Sequence, residues 1–294
     1  MSARHIVGIG DLTDEEITDV LERAASFADG AAPPRADKLI GLGFFEASLR
    51  TRVGFASAAH RSGASVVEVN DRRAAVDSMP ESLIDTVRTV SGYIDALIVR
   101  APRPAGEVAA AVLSDVPFLN AGDRGPGAEH PSQALIDFFA IERMVGPIDS
   151  VHVAICGDLR MRSARSLLAL LARRPPASLS LITDESLLAG FALPAALVEL
   201  TSFTTLERLG SVSVLNAVGI PHGAATEGVR STLRIDGRAL SAMSATGIVL
   251  SPMPIIDEIA SSARSDPRMR YFEQSDLALS IRMALLDLLL RRGR

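Results

Sequence analysis

The sequence predicts an α/β protein of two domains, each a parallel β-sheet covered by helices, with a cleft between them. Three observations lead there. Short apolar runs alternate with segments of helical period along most of the chain. The strand-like runs, such as Leu39–Phe45, read as buried. The 294 residues are long for one domain and comfortable for two.

The elements follow in order. The opening reads as a strand and then a helix. Thr13 is placed to cap that helix with Glu16 as its capping-box partner, and Ile17, Val20, Leu21, Ala24 and Ala28 recur at helical spacing. Ala31-Ala32-Pro33-Pro34 breaks it. A buried strand at Leu39–Phe45 leads to a helix from about Thr51 to Ser62, stopped by Gly63. Ser65–Val69 is a strand, Ser82–Gly92 a helix, and Ala96–Val99 and Val116–Asn120 are strands. A glycine-rich loop, Gly122–Gly127, precedes a helix at His130–Met144. Gly146-Pro147 reads as a hinge, which divides the chain into residues 1–145 and 146–294. A second series then begins: strand Val151–Cys156, helix Ser163–Arg173, strands Leu179–Ile182, Val212–Asn216 and Ile248–Leu250, and a last helix from about Ser275 to Arg292.

Composition excludes several classes. With 48% hydrophobic and 22% charged residues the chain is globular rather than disordered. A net charge of −5 speaks against nucleic-acid binding by bulk electrostatics. Lys38 is the only lysine, and its neighbours Asp37 and Leu39 do not make a Walker A loop. A Schiff-base enzyme would have to use that same residue, at the start of a strand. Cys156 is the only cysteine, so no intrachain disulfide forms, which fits a reducing compartment. Asp11 interrupts the first apolar run, and no run approaches the roughly 20 residues of a membrane span. A cytoplasmic protein with no membrane partner is the expectation.

Four segments carry chemistry. Phe44–Arg52, FFEASLRTR, leaves a strand and opens a helix. Helix starts offer unpaired N–H groups and a positive dipole end, a phosphate site in waiting. Ser48 and Thr51 add hydroxyls, and Arg50 and Arg52 add guanidinium forks. The alternative is a capped helix with solvated arginines. His130-Pro131-Ser132-Gln133 opens the next helix, with His130 able to donate to a carbonyl and Gln133 able to accept from an amide NH₂. Arg100 directly follows a strand, which puts it at a ligand edge or a sheet rim. Gly157–Arg162, GDLRMR, occupies the same strand-to-helix position in the second half.

With these segments in hand, the chain resembles the aspartate/ornithine carbamoyltransferases. The family's F-F-E-x-S-T-R-T-R is matched by Phe44–Arg52 with Leu49 for the middle threonine, and its R-x-G-A-x-V by Arg61–Val66. H-P-T-Q-x-L-x-D is matched by His130–Asp137 with Ser132 for threonine. V-x-x-x-G-D-L is matched by Val153–Leu159, and L-P-R-V-D-E-I in part by Met253–Ile259. The resemblance covers nearly the whole chain, including His5–Leu12. It implies a first domain that binds carbamoyl phosphate, a second that binds the acceptor, and a last helix that packs back on the first domain.

The resemblance also implies roles. Ser48, Leu49, Arg50, Thr51, Arg100, His130 and Gln133 would bind carbamoyl phosphate, with Arg52 supporting. Arg50, Thr51, Arg100, His130 and Gln133 would serve catalysis, and Arg162 with Met253-Pro254 would hold the acceptor's carboxylate. It implies no metal, no cofactor, and a homotrimer in which a neighbour's loop brings a serine and a lysine. The matching stretch, Asp71–Glu81, has Ser78 but no lysine, with Met79 near its place. Leu215–Gly223, LNAVGIPHG, lacks the arginine and glutamine of the family's R-x-Q-x-E-R, and Ser251–Pro254 lacks the ornithine branch's cysteine. Three readings therefore stand: a carbamoyltransferase for an aspartate-like or other amine; a weak or inactive homologue serving ligand binding or assembly; and another reaction on the same scaffold. Cys156 reads as a buried structural thiol, His222 as a solvated loop histidine with an acceptor contact as the alternative, His60 as support for its helix, and Asp257-Glu258 as a helix cap.

Overall fold

In the computed structural model the described residues are 3–69 and 81–291. They form two compact units, one of the described residues up to 132 together with those from 278 onward, the other of residues 133–277.

The first unit is built on five parallel strands: β1 (His5–Ile6), β2 (Leu39–Phe44), β3 (Ser65–Glu68), β4 (Ala96–Arg100) and β5 (Phe118–Asn120). Their order is β1-β5-β4-β2-β3. The helices α1 (Asp14–Ala28), α2 (Leu49–Arg61), α3 (Leu83–Ser91) and the short α4 (Ala105–Ala109) connect them. The first helix starts as its sequence requires: the Thr13 hydroxyl accepts from Glu16 N, and the Glu16 carboxylate accepts from Thr13 N at 2.8 Å. Its apolar stripe, Ile17, Val20, Leu21 and Ala24, is buried. From β2 the chain steps outward to β3 and returns to β4 on the other side. That reversal opens a crevice at the carboxyl ends of β2 and β4, the general ligand position of parallel sheets. Phe44 and Arg100 stand opposite each other at that edge.

α5 (Pro131–Met144) leads from the first unit's last residues into the second. Strands β6 (His152–Gly157), β7 (Ser178–Ile182), β8 (Thr201–Phe203), β9 (Val214–Val218) and β10 (Ile248–Leu250) form its sheet, again all parallel, in the order β10-β9-β6-β7-β8. Helix α6 (Arg162–Arg173) follows β6; α7 (Glu227–Thr232) and α8 (Gly237–Ala242) lie between β9 and β10. The direction reverses between β6 and β9, where Gly157 pairs with Val218. A Cβ on Gly157 would lie 1.8 Å from the Val218 carbonyl oxygen, and φ there is 124°, so only glycine fits.

The last helix, α9 (Tyr271–Arg291), has its residues from Ala278 onward in the first unit. Ile281, Ala284, Leu285 and Leu289 are buried there, and Arg23 pairs with Asp287 at 2.7 Å. Arg291 pairs with Asp19. No helix of the described residues is long and apolar enough to cross a membrane.

Candidate active site

Ser48, Arg50 and Thr51 follow the carboxyl end of β2, and Arg100 ends β4 beside it. α2 begins at Leu49, after Ser48, whose hydroxyl makes no capping bond. The first-turn amides of Leu49, Arg50 and Thr51 have no intrahelical acceptor, as at any helix start. Thr51 is buried and Leu49 is 70% exposed. Arg50 is exposed at the helix start and has no hydrogen-bonding or ion-pair partner among the described residues; partial desolvation lowers its pKa. Behind it lies Arg282 of α9, buried over the Phe55 ring at 5.6 Å. Burial, with Arg50 nearby, pushes Arg282 down to about 10. Gly54 makes room for it, since a Cβ there would fall 2.0 Å from Arg282 Nη1. A second guanidinium, that of Arg282, thus lies near a helix start that already favours an anion. Arg52 bonds Glu68 at 3.2 Å.

Arg100 and His130 converge on Gly122. A Cβ there would lie 2.8 Å from Arg100 Nη1 and 2.9 Å from His130 Cδ2, and its φ of 106° also demands glycine. The loop is tied from below: Asn120 Oδ1 accepts from Gly122 N, and Asp123 accepts from the backbone of Ala105 and Glu129. Arg100 donates to the Ala121 carbonyl at 3.4 Å and stands 3.8 Å from Glu46, which also pairs with Arg124. His130 is 6% exposed, and its Nδ1 faces the Ser132 hydroxyl at 3.3 Å.

In the second unit, Gln133 Nε2 donates to Asp137 Oδ1 at 2.6 Å. Asp137 also accepts from Gln274 Nε2 at 2.5 Å and Asn216 Nδ2 at 3.4 Å. An ionised carboxylate only accepts, so it holds the Gln133 amide with nitrogen inward and oxygen outward. Burial pushes the Asp137 carboxyl up to about 7. Gln274 continues the chain of bonds, its Oε1 accepting from Ser251 N, while the Ser251 hydroxyl accepts from Met253 N. The Met253–Pro254 peptide is cis, and Met253 has φ 54°. Beyond β6, Asp158 holds Arg160 through two bonds of 2.8 and 3.0 Å, and Arg162 starts α6.

Sequence patterns missed several of these residues. Asp137 and Glu46 sat inside matched motifs with no role assigned, and Gln274 and Arg282 were polar residues in a helix. Arg282 had one signal, an arginine bordering the apolar run Met283–Leu290. Asp257-Glu258 cap no helix: Asp257 pairs with Arg230, and Glu258 binds the N–H groups of its own turn. Cys156 is buried, its thiol pushed up to about 12 by burial and donating to the Leu233 carbonyl. His222 is exposed, and Ser78 with Met79 lies outside the described residues.

Residues 4–143 match the aspartate/ornithine carbamoyltransferase, carbamoyl-P binding domain. An aspartate carbamoyltransferase catalytic subunit of Archaeoglobus fulgidus is 35% identical, over 97% of this chain and 98% of that one. The chain belongs to the aspartate/ornithine carbamoyltransferase family. Among solved structures, the catalytic subunit of M. jannaschii aspartate transcarbamoylase has a TM-score of 0.81 at 28% identity, covering 98% of both chains. Trypanosoma cruzi aspartate transcarbamoylase in complex with carbamoyl phosphate and aspartate has a TM-score of 0.80 at 27% identity, covering 97% of this chain and 96% of that one. The two parallel α/β sheets of this family member are thus those of aspartate carbamoyltransferases over the full chain.

Proposed function

We propose that the protein is a carbamoyltransferase that moves the carbamoyl group of carbamoyl phosphate to the amino group of an acceptor. The observation that carries this is Arg50 at the start of α2, just past the carboxyl end of β2, with no hydrogen-bonding or ion-pair partner among the described residues and with Arg282 nearby. Such a site calls for a polyanion. The relatives named for aspartate carbamoyl transfer support the same donor.

In this reading the first unit is the carbamoyl-phosphate domain. Ser48, Leu49, Arg50 and Thr51 hold the phosphate through hydroxyl, amide and guanidinium donors. Thr51, Arg100 and His130 donate to the carbonyl oxygen. We assign the Ser132 hydroxyl as donor to His130 Nδ1, which leaves the ring proton on Nε2 as the donor to the ligand. Gln133, its oxygen turned outward by Asp137, accepts from the carbamoyl NH₂. Arg100 is shared with Glu46 and must exchange part of that pairing for the ligand. The acceptor's neutral amine attacks the carbonyl carbon. The C–N bond forms, negative charge grows on the oxygen, and the three donors stabilise it. The C–O bond to phosphate then breaks, and the departing phosphate takes the proton the amine sheds. Proximity supplies the rest.

The second unit is the acceptor domain, with Arg162 and the Met253-Pro254 backbone as carboxylate contacts. We also propose a homotrimer in which Ser78 of a neighbouring copy joins the site; sedimentation at micromolar concentration should show a trimer or a multiple of one, and a monomer refutes it. The reaction is tested by calorimetric titration with carbamoyl phosphate, followed by acceptor-dependent phosphate release. Absence of carbamoyl phosphate binding refutes the function.

A further inference from the structure

At the second topological switch point, between β6 and β9, the chain leaves β9 through Gly219. Glu258 lies directly over that glycine. A Cβ on Gly219 would have as its three nearest atoms Glu258 Oε2 at 3.6 Å, Cδ at 3.8 Å and Oε1 at 3.8 Å. Glu258 is only 7% exposed. Its carboxylate accepts from the backbone N–H groups of its own turn, Ile256 N at 2.8 Å and Asp257 N at 3.1 Å to Oε2 together with its own N–H. Among the described residues no cation pairs with it. The two nearby arginines are engaged elsewhere: Arg230 bonds both oxygens of Asp257 and the Pro221 carbonyl, and Arg234 pairs with Glu227 and Asp257. Two arginines therefore meet three carboxylates, and Glu258 is the one left over. Burial raises its pKa accordingly.

A buried carboxylate held only by backbone N–H groups, with no cation beside it, can still accept from a further donor and favours a positive one. The space in front of it is what a side chain at position 219 would fill, at the carboxyl edge where parallel sheets bind ligands. Leu215–Gly223 supplies neither arginine nor glutamine to fill it. We propose that Glu258, left uncovered by a side chain at Gly219, sets acceptor specificity, receiving a cationic or N–H-donating group at the acceptor's far end and disfavouring a carboxylate there. This rests on the carbamoyltransferase reading and narrows its substrate to an amino compound whose distal group is an ammonium, guanidinium or amide.

The test titrates phosphate-saturated enzyme with L-2,4-diaminobutyrate, L-arginine, L-asparagine and L-aspartate by calorimetry, in wild type, Glu258→Gln and Gly219→Arg. At least one of the first three should bind tenfold or more tightly than L-aspartate. That preference should collapse in Glu258→Gln. In Gly219→Arg, where the new guanidinium would pair with Glu258 and face the ligand, it should shift toward L-aspartate. Equal or tighter L-aspartate binding in wild type, or a preference untouched by Glu258→Gln, overturns the proposal. Carbamoyl phosphate affinity is measured in the same preparations. Its absence in wild type refutes the carbamoyltransferase reading itself, whereas intact donor binding with the wrong acceptor order refutes only the role of Glu258.

Discussion

Replacing Asp137 with asparagine isolates a buried carboxylate that orients the Gln133 amide. Asp137 is 1% exposed and accepts from three amide groups, with no cation among its bonding partners. Burial pushes its carboxyl from 3.8 up to about 7. The sign follows from linkage: the folded state holds this proton more tightly than the unfolded state does. The stability contribution is complete below pH 3.8 and is lost as pH rises through about 7. At roughly 1.4 kcal/mol per pKa unit, the loss approaches about 4 kcal/mol by pH ~8, of which about 2–3 kcal/mol falls between pH ~5 and ~8. Asparagine has no charge to bury, but it sets an NH₂ against one of the glutamine amides, at about 1–3 kcal/mol. In denaturant unfolding, the stability of Asp137→Asn relative to wild type should therefore climb by about 2–3 kcal/mol from pH ~5 to ~8. The variant also frees the Gln133 amide to flip, so KM for carbamoyl phosphate should rise about tenfold, the effect of one weakened hydrogen bond. A stability difference that stays flat across that range would refute the buried-carboxylate argument.

Arg50→Ala should weaken carbamoyl phosphate binding by roughly 2–3 kcal/mol through lost charge-assisted bonds, and unchanged affinity by calorimetry would remove Arg50 from the site. Gly54→Ala, which in an ordinary helix stabilises by about 0.5–1 kcal/mol, should instead destabilise by about 1–3 kcal/mol because its Cβ meets Arg282, as thermal unfolding would reveal. Cys156, buried with its thiol pushed up to about 12, should resist alkylation at neutral pH until denaturant is added; rapid labelling of the native protein would contradict its burial.

The sequence was most legible where local chemistry dominates. Thr13 and Glu16 announce a capped helix because the capping box is made within four residues. The β2–α2 turn was readable as a strand leading into a helix start for the same reason, since a helix start needs no distant partner to present its amides. Short elements were harder. β8 ends in the exposed Phe203 and shows no buried run, and α4, α7 and α8 have only five or six residues each, too few to display a helical period.

The sequence by itself determined the alternation of strand and helix, hence the parallel sheets, and the residues clustered just past β2, β4 and β6. Periodicity, caps and glycine positions are properties of neighbouring residues, so a linear reading can see them. Tertiary structure alone decided the strand orders, and with them which loops share a switch point. It alone brought Arg282 to Arg50 across more than two hundred residues, and aimed Gln133 through Asp137 and Gln274. It also set Glu258 over Gly219. Those pairings depend on which buried charge finds a partner in space, and desolvation and ion pairing act on distance through the fold, which separation along the chain does not encode.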